Sequence, residues 1–239
     1  MNRLAPKIEV EFGPGVTGNF LLIPAGAFYV GGLKDQDKTL RRLAAITKPF
    51  YMQETPVTQK QYEIITGQNP ATFNDEPENP VEQVSWDESV DFTEKLSRLV
   101  RLKFGLTARL PTEMEWEYAA RGGDGDKYTY AGSNYINEVA WYRDNSNDQP
   151  HPVKQKKPNG YGLYDMTGNV NEWCSDVYGK YPNQELIDYQ GSTTGQERVF
   201  RGGSWYYAPV VFARVANRFG FYPDDRNLTL GLRLVLETL

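Results

Sequence analysis

Apolar residues recur at helical spacing most clearly at Val90, Phe92, Leu96, Leu99 and Val100, directly after Ser85-Trp86-Asp87-Glu88. Those four residues form a capping box, in which a Ser hydroxyl and a Glu carboxylate each satisfy a backbone NH of the other residue, so the pattern predicts a helix from residue 86 to about 101. A second capping box, Thr112-Glu113-Met114-Glu115, opens WEYAARGG and predicts a short helix ended by Gly122. Glu113, Glu115 and Glu117 alternate in it, so they cannot all share one face, and Glu115 is committed to the cap. The segment TPVTQKQYEIITG (55–67) carries Tyr62 and Ile65 and closes on Gly67, which predicts another short amphipathic helix.

Elsewhere the apolar runs are short and punctuated. NFLLIPAGAFYVGG (19–32) predicts strands joined by tight turns and is expected to open the sheet. QNPATFNDEPENPVEQV (68–84), rich in Asn and Pro, predicts irregular chain. Beyond residue 123 the helical signals fade into Gly, Asn, Asp, Pro and aromatic residues, up to the apolar alternation LGLRLVL at 230–236. No repeat, linker or low-complexity tract divides the chain, so residues 1–239 are expected to form a single domain.

Composition sharpens this picture. With 16 Tyr, 11 Phe, 5 Trp, 22 Gly and 15 Pro, packing should be dominated by flat rings and the backbone by turns, which predicts a loop-rich α+β fold. A net charge of -5 and the lack of a long basic run argue against a nucleic-acid partner. No apolar run is long enough for a membrane span, and the first thirty residues lack the pattern of a signal peptide, so the chain reads by default as cytoplasmic.

The inventory of reactive side chains narrows the chemistry. A single cysteine, Cys174, forms no internal disulfide or dithiol, and its place after a Trp suits a small buried hydrophobe. The single histidine, His151, sits between two prolines in NDQPHPVKQ, a surface-loop setting with no second His for a metal cluster. Carboxylates are plentiful, so a hard cation remains compatible. Asp165 and Glu172 bracket a Gly-containing turn whose Gly168 and Val170 carbonyls would complete an oxygen cage; alternatively, both carboxylates bind backbone NH groups of the turn.

Three blocks, TARLPTEMEWEYAARGG (107–123), KPNGYGLYDMTGNVNEWCSD (157–176) and RVFRGGSWYYAPVVFARVANR (198–218) with GLRLV (231–235), resemble in order and spacing the formylglycine-generating enzyme, or sulfatase-modifying factor, family. IPAGAF, PVTQKQY and NPVEQVSWDES extend the resemblance over nearly the whole chain. It implies an elaborated C-type-lectin-like fold and a structural calcium at Asp165, Gly168, Val170 and Glu172. The family's catalysts carry two cysteines a few residues after GGS, which bind copper and engage a substrate cysteine. Aligned on Gly202-Gly203-Ser204, Tyr207 and Phe212 fall at or next to those places, neither of them a soft ligand or a thiol nucleophile, so no copper and no formylglycine chemistry of that kind are expected.

The terminal block, residues 198–235, also resembles the variable region of proteins diversified by a retroelement. In such systems mutagenesis of adenines in Asn-type (AAY) codons changes chosen positions and spares a framework. By motif, Arg201 to Trp205, Arg214, Ala216, Asn217, Arg218, Pro223, Asp224, Arg226, Gly231 and Arg233 are framework. The positions between them are Tyr206, Tyr207, Val211, Phe212, Phe219, Gly220, Phe221, Tyr222, Asp225, Asn227, Leu228 and Thr229. Mutated AAY codons never encode Lys, Glu, Gln, Met or Trp, and residues 206–230 contain none of the five. Rings set beside Gly, Pro and Asp suit a loop surface covered by a partner, although ordinary core or dimer contacts are the plain alternative. The expected function is non-catalytic binding of a macromolecule, a protein, through these positions. The rival is a divergent oxidoreductase or protein-modifying enzyme of the same superfamily.

Overall fold

The computed structural model describes residues 4–32, 42–207 and 210–238. Along the chain the strands are β1 (Lys7–Gly13), β2 (Val16–Ile23), β3 (Gly26–Val30), β4 (Arg42–Ile46), β5 (Phe50–Gln53), β6 (Leu106–Arg109), β7 (Asn171–Val177), β8 (Leu186–Ile187), β9 (Arg198–Arg201), β10 (Phe219–Phe221), β11 (Leu230–Leu232) and β12 (Val235–Thr238). The helices are α1 (Gln59–Thr66), α2 (Trp86–Phe104), α3 (Glu113–Ala120) and α4 (Ile136–Val139). Strands order as β1-β2-β5-β12-β6, as β10-β9-β7-β11 and as β3-β4-β8, in three sheets. Short strands separated by long irregular connections make this the loop-rich α+β architecture that the sequence predicts.

The caps explain why the helices begin where they do. Ser85 accepts from the Glu88 NH while Glu88 returns a bond to the Ser85 NH, and Gly105 closes α2 in the left-handed region. Thr112 and Glu115 repeat the arrangement on α3, and Thr58 with Gln61 does so on α1, a box whose Gln member the sequence reading passes over. Phe92, Leu96 and Val100 turn inward from α2, and the Phe92 ring stacks on Tyr62 at 5.1 Å, so the two helices share one core beneath the first sheet.

Two differences bear on the site. A strand, β1, precedes the segment expected to open the sheet and pairs antiparallel with β2; its alternation KIEVEF is the signal that marks it. LGLRLVL, which reads as one alternating run, is two strands in two sheets. Gly231 lies parallel to Glu172 of β7, whereas Val235 and Leu236 pair with β5 and β6. Arg233 sits fully buried at the crossing and donates to both Glu172 oxygens and to the carbonyls of Gln53 and Tyr164, which ties the two sheets together.

Candidate functional site: an aromatic surface on a buried arginine frame

At the end of β9 the chain turns through Gly202 and Gly203, both at positive φ (101° and 77°). A Cβ at Gly203 would sit 2.8 Å from Ala213 Cα, so only glycine lets the short 3-10 turn Val210–Ala213 settle against the strand end. That close approach brings rings from four segments into one run. The interior Trp173 meets Phe200 edge-on at 6.1 Å, Phe200 stacks on Phe219 at 5.4 Å, and Phe219 meets Tyr207 and Phe212 at 6.1 and 6.0 Å. Tyr207 and Phe212, expected from the sequence to lie at or next to the family's cysteine positions, contact each other with centroids 5.8 Å apart. Burial pushes the Tyr207 phenol above its ordinary range, so it is a neutral, partly desolvated ring.

Exposure divides the predicted ligand positions into layers. Tyr206, Phe212 and Tyr222 are open to solvent at 54%, 38% and 49%. Tyr207, Val211, Phe219 and Phe221 are half-buried. Phe219 and Phe221 therefore differ from the expectation that they stand clear of the core: β10 pairs with β9, and both side chains pack on Phe200 as the outer wall of the main cluster. Gly220, between them, is constrained, since a Cβ there would lie 2.7 Å from Tyr178 Cγ. Asp225 closes a turn by accepting from the Tyr222 NH, and Asn227 accepts from both the NH and the hydroxyl of Thr229. The Leu228 carbonyl takes the Trp205 indole NH. Thr229 is buried at 8% and gives no surface contact, which corrects its place among the ligand positions.

Beneath the surface the arginines act as frame. Arg201, fully buried, pairs with Glu117 and donates to the carbonyls of Val215, Ala216 and Asn217. Arg218 grips Glu113 with two bonds of 2.6 and 2.7 Å and lies over the Tyr178 and Tyr181 rings. Arg226 does the same to Glu88, the capping-box residue of α2, while the Trp86 and Asp87 NH groups hold the Pro223 carbonyl. Asn217 donates to the Val211 carbonyl. Glu113 and Glu117, one turn apart, thus serve the frame, and Glu115 faces away toward Arg109. The Nε of Arg214, like that of Arg201, is buried without a hydrogen-bond partner among the described residues.

The quartet expected to cage calcium does not fit a cation as it stands. Glu172 is fully buried and spends its oxygens on Arg233 and on the Trp116 indole NH at 2.6 Å, leaving no free donor. Asp165 accepts from the Lys154 NH, and only its other oxygen lacks a partner; burial raises its carboxyl to about 6. No group of three acidic, His or Cys side chains converges among the described residues. Cys174 is buried with its thiol pushed well up, in keeping with a packing role. His151 is held more firmly than a surface loop implies, stacked on Trp141 at 3.9 Å with its Nε2 against the Ser146 carbonyl.

Comparison with known proteins places this geometry. The model of the sulfatase-modifying factor enzyme 1-like domain matches residues 13–238. The chain is 31% identical to the chaperone protein LppX of Paenibacillus barcinonensis, over 92% of this chain and 90% of the relative. It is 36% identical to the formylglycine-generating enzyme of Streptomyces coelicolor over 66% of this chain, and spans about half (52%) of that enzyme. Among solved structures, Treponema denticola variable protein 1 superimposes with a TM-score of 0.87 at 29% identity, covering 97% of this chain and 99% of that one. The likeness to a variable protein thus covers the whole fold. The chain belongs to the sulfatase-modifying factor enzyme 1-like family, and has the C-type-lectin-like fold shared by its formylglycine-generating members and by the variable protein.

Proposed function

We propose that the chain is a non-catalytic, receptor-type binding protein whose loops between residues 206 and 228 contact a protein partner. The observation that carries this reading is the meeting of Tyr207 and Phe212, at or next to the places expected for the family's two thiols, backed by core rings and open to solvent at Phe212. Such a face has no soft ligand or nucleophile, so neither copper binding nor thiol oxidation belongs to it. It has what a paratope uses: large rings that lose little rotamer freedom, mounted on loops fixed from below by paired arginines. Likeness to a protein titled as variable supports the same reading. A net charge of -5 disfavours a nucleic-acid partner.

The test is a selection from a displayed random-dodecapeptide library on the immobilised chain. Clones dependent on this surface should bind wild type and fail on the triple variant Tyr206→Ala/Phe212→Ala/Tyr222→Ala, whose fold is verified by thermal melting. Oxygen uptake with a thiol peptide, accompanied by bound copper, would instead establish the enzymatic alternative.

A further inference from the structure

Beside Phe212 lies a cavity of about 550 Å³, within the size range of small-ligand sites and far larger than a packing defect. One wall is the variable block itself, through Val211, Phe212 and Phe219. The opposite wall comes from elsewhere in the chain: Arg42 at the start of β4, and Lys180 with Tyr181 after β7. Nothing in the terminal motif points to these three residues.

The charges around the cavity are one-sided. No carboxylate lines it among the described residues, in a chain whose net charge is -5. Arg218 also borders it, but its charge is matched by Glu113. Lys180 is exposed and has no ion-pair partner among the described residues, and among them Arg42 bonds only the neutral Asn183 side chain. Two cations without a carboxylate partner among the described residues therefore stand at the rim of an apolar pocket. Tyr181, on the same side, has a buried hydroxyl with no hydrogen-bond partner among the described residues, an orphan that a bound acceptor satisfies.

We propose that this cavity is the anchor subsite of the binding surface and that it takes an acidic peptide segment. One apolar side chain of the partner enters the cavity and packs against Val211, Phe212 and Phe219, and the carboxylates flanking it meet Lys180 and Arg42. The inference rests on the proposed protein-binding role and goes beyond it by fixing the partner's chemistry. The aromatic wall supplies contact area that any apolar residue can use, whereas the rim cations select by sign, favouring encounter with acidic segments and disfavouring basic ones. The selective half of the site is thus carried by residues outside the terminal block, so an acidic preference would persist while positions such as Val211 and Phe212 change.

The test uses the same displayed library. Clones should be enriched in Asp and Glu around at least one Phe, Tyr, Trp, Leu or Ile. Their synthetic peptides should lose about tenfold or more in affinity on Lys180→Glu/Arg42→Glu, and should weaken as salt is raised. Clones that depend on Tyr206, Phe212 and Tyr222 but are neutral or basic, or that bind the charge-reversed variant undiminished, overturn this inference and leave the binding role standing. A selection yielding no clone that distinguishes wild type from the triple alanine variant overturns both. Unchanged melting of Lys180→Glu/Arg42→Glu is the control that separates lost recognition from lost fold.

Discussion

Tyr207 and Phe212 touch, ring to ring, with centroids 5.8 Å apart, at or next to the places where alignment on Gly202-Gly203-Ser204 leads one to expect the family's pair of cysteines. A phenol and a phenyl group there leave neither thiolate nor soft donor. The purified chain should carry copper well below one equivalent, and oxygen uptake with a cysteine peptide should match the protein-free rate. Stoichiometric copper or catalysed uptake would contradict the binding role.

The layering of the rings predicts unequal costs of truncation. Phe219 packs on Phe200 at 5.4 Å but is only half-buried, so Phe219→Ala should destabilise by roughly half of the 3–5 kcal/mol typical of a core phenylalanine. Tyr206→Ala, at an open position, should stay within about 0.5 kcal/mol of wild type. Urea unfolding of the two variants measures both; equal losses would mean that Tyr206 is core or that Phe219 is surface.

Arg201 is the member of the frame whose removal strands the most. Its loss leaves Glu117 short of one of its two arginine partners and the carbonyls of Val215, Ala216 and Asn217 without this donor. Arg201→Met should cost about 3–5 kcal/mol, the range for breaking a buried ion pair from one side. If that variant melts with wild type, the loops are held by something other than the arginine frame.

Glu82 gives the fold a dependence on pH. Burial pushes its carboxyl up to about 7, with its Oε1 accepting from the Phe73 NH and its other oxygen unpartnered. The folded chain thus keeps a proton that the unfolded chain releases near pH ~4, so this contribution is full below about pH 4 and is lost as pH rises to about 7. Glu82→Gln cannot ionise. Its melting temperature relative to wild type should be higher at about pH 8 than at about pH 5; a constant offset between the two proteins would refute the assignment. Asp176, also raised to about 7, remains in both proteins and sets the residual slope.

Chelation tests the turn at Asp165. Because Arg233 already neutralises Glu172, treatment with a strong chelator should move the melting temperature by no more than about 1 °C, and added calcium should not raise it. A fall of several degrees on chelation would show a bound ion at this turn.

What the sequence makes legible follows from the range of the interactions involved. The capping boxes at Ser85 and Thr112 are local, each complete within four residues, and the helices begin there. The arginine frame is legible as a set of donors but not as pairings: Arg201 meets Glu117 across 84 positions and Arg226 meets Glu88 across 138. The mixed Gly, Pro and aromatic pattern at 219–223 reads as a loop, yet Phe219 and Phe221 share one face of β10 and pack inward because β9 lies beside it. No local rule recruits Arg42 and Lys180 to the cavity, since the sheet connections bring them there. LGLRLVL fails as one strand for a similar reason, because Glu172 waits at the crossing for Arg233.

The central claim is that the open rings serve a partner and not the fold. The most direct measurement compares Tyr206→Ala/Phe212→Ala/Tyr222→Ala with wild type in melting temperature and in affinity for peptides selected on wild type. The account predicts melting within a few degrees and affinity lowered by about a hundredfold or more, as expected when several aromatic anchors are lost together. A collapsed melting transition, or undiminished affinity on an intact fold, would contradict it.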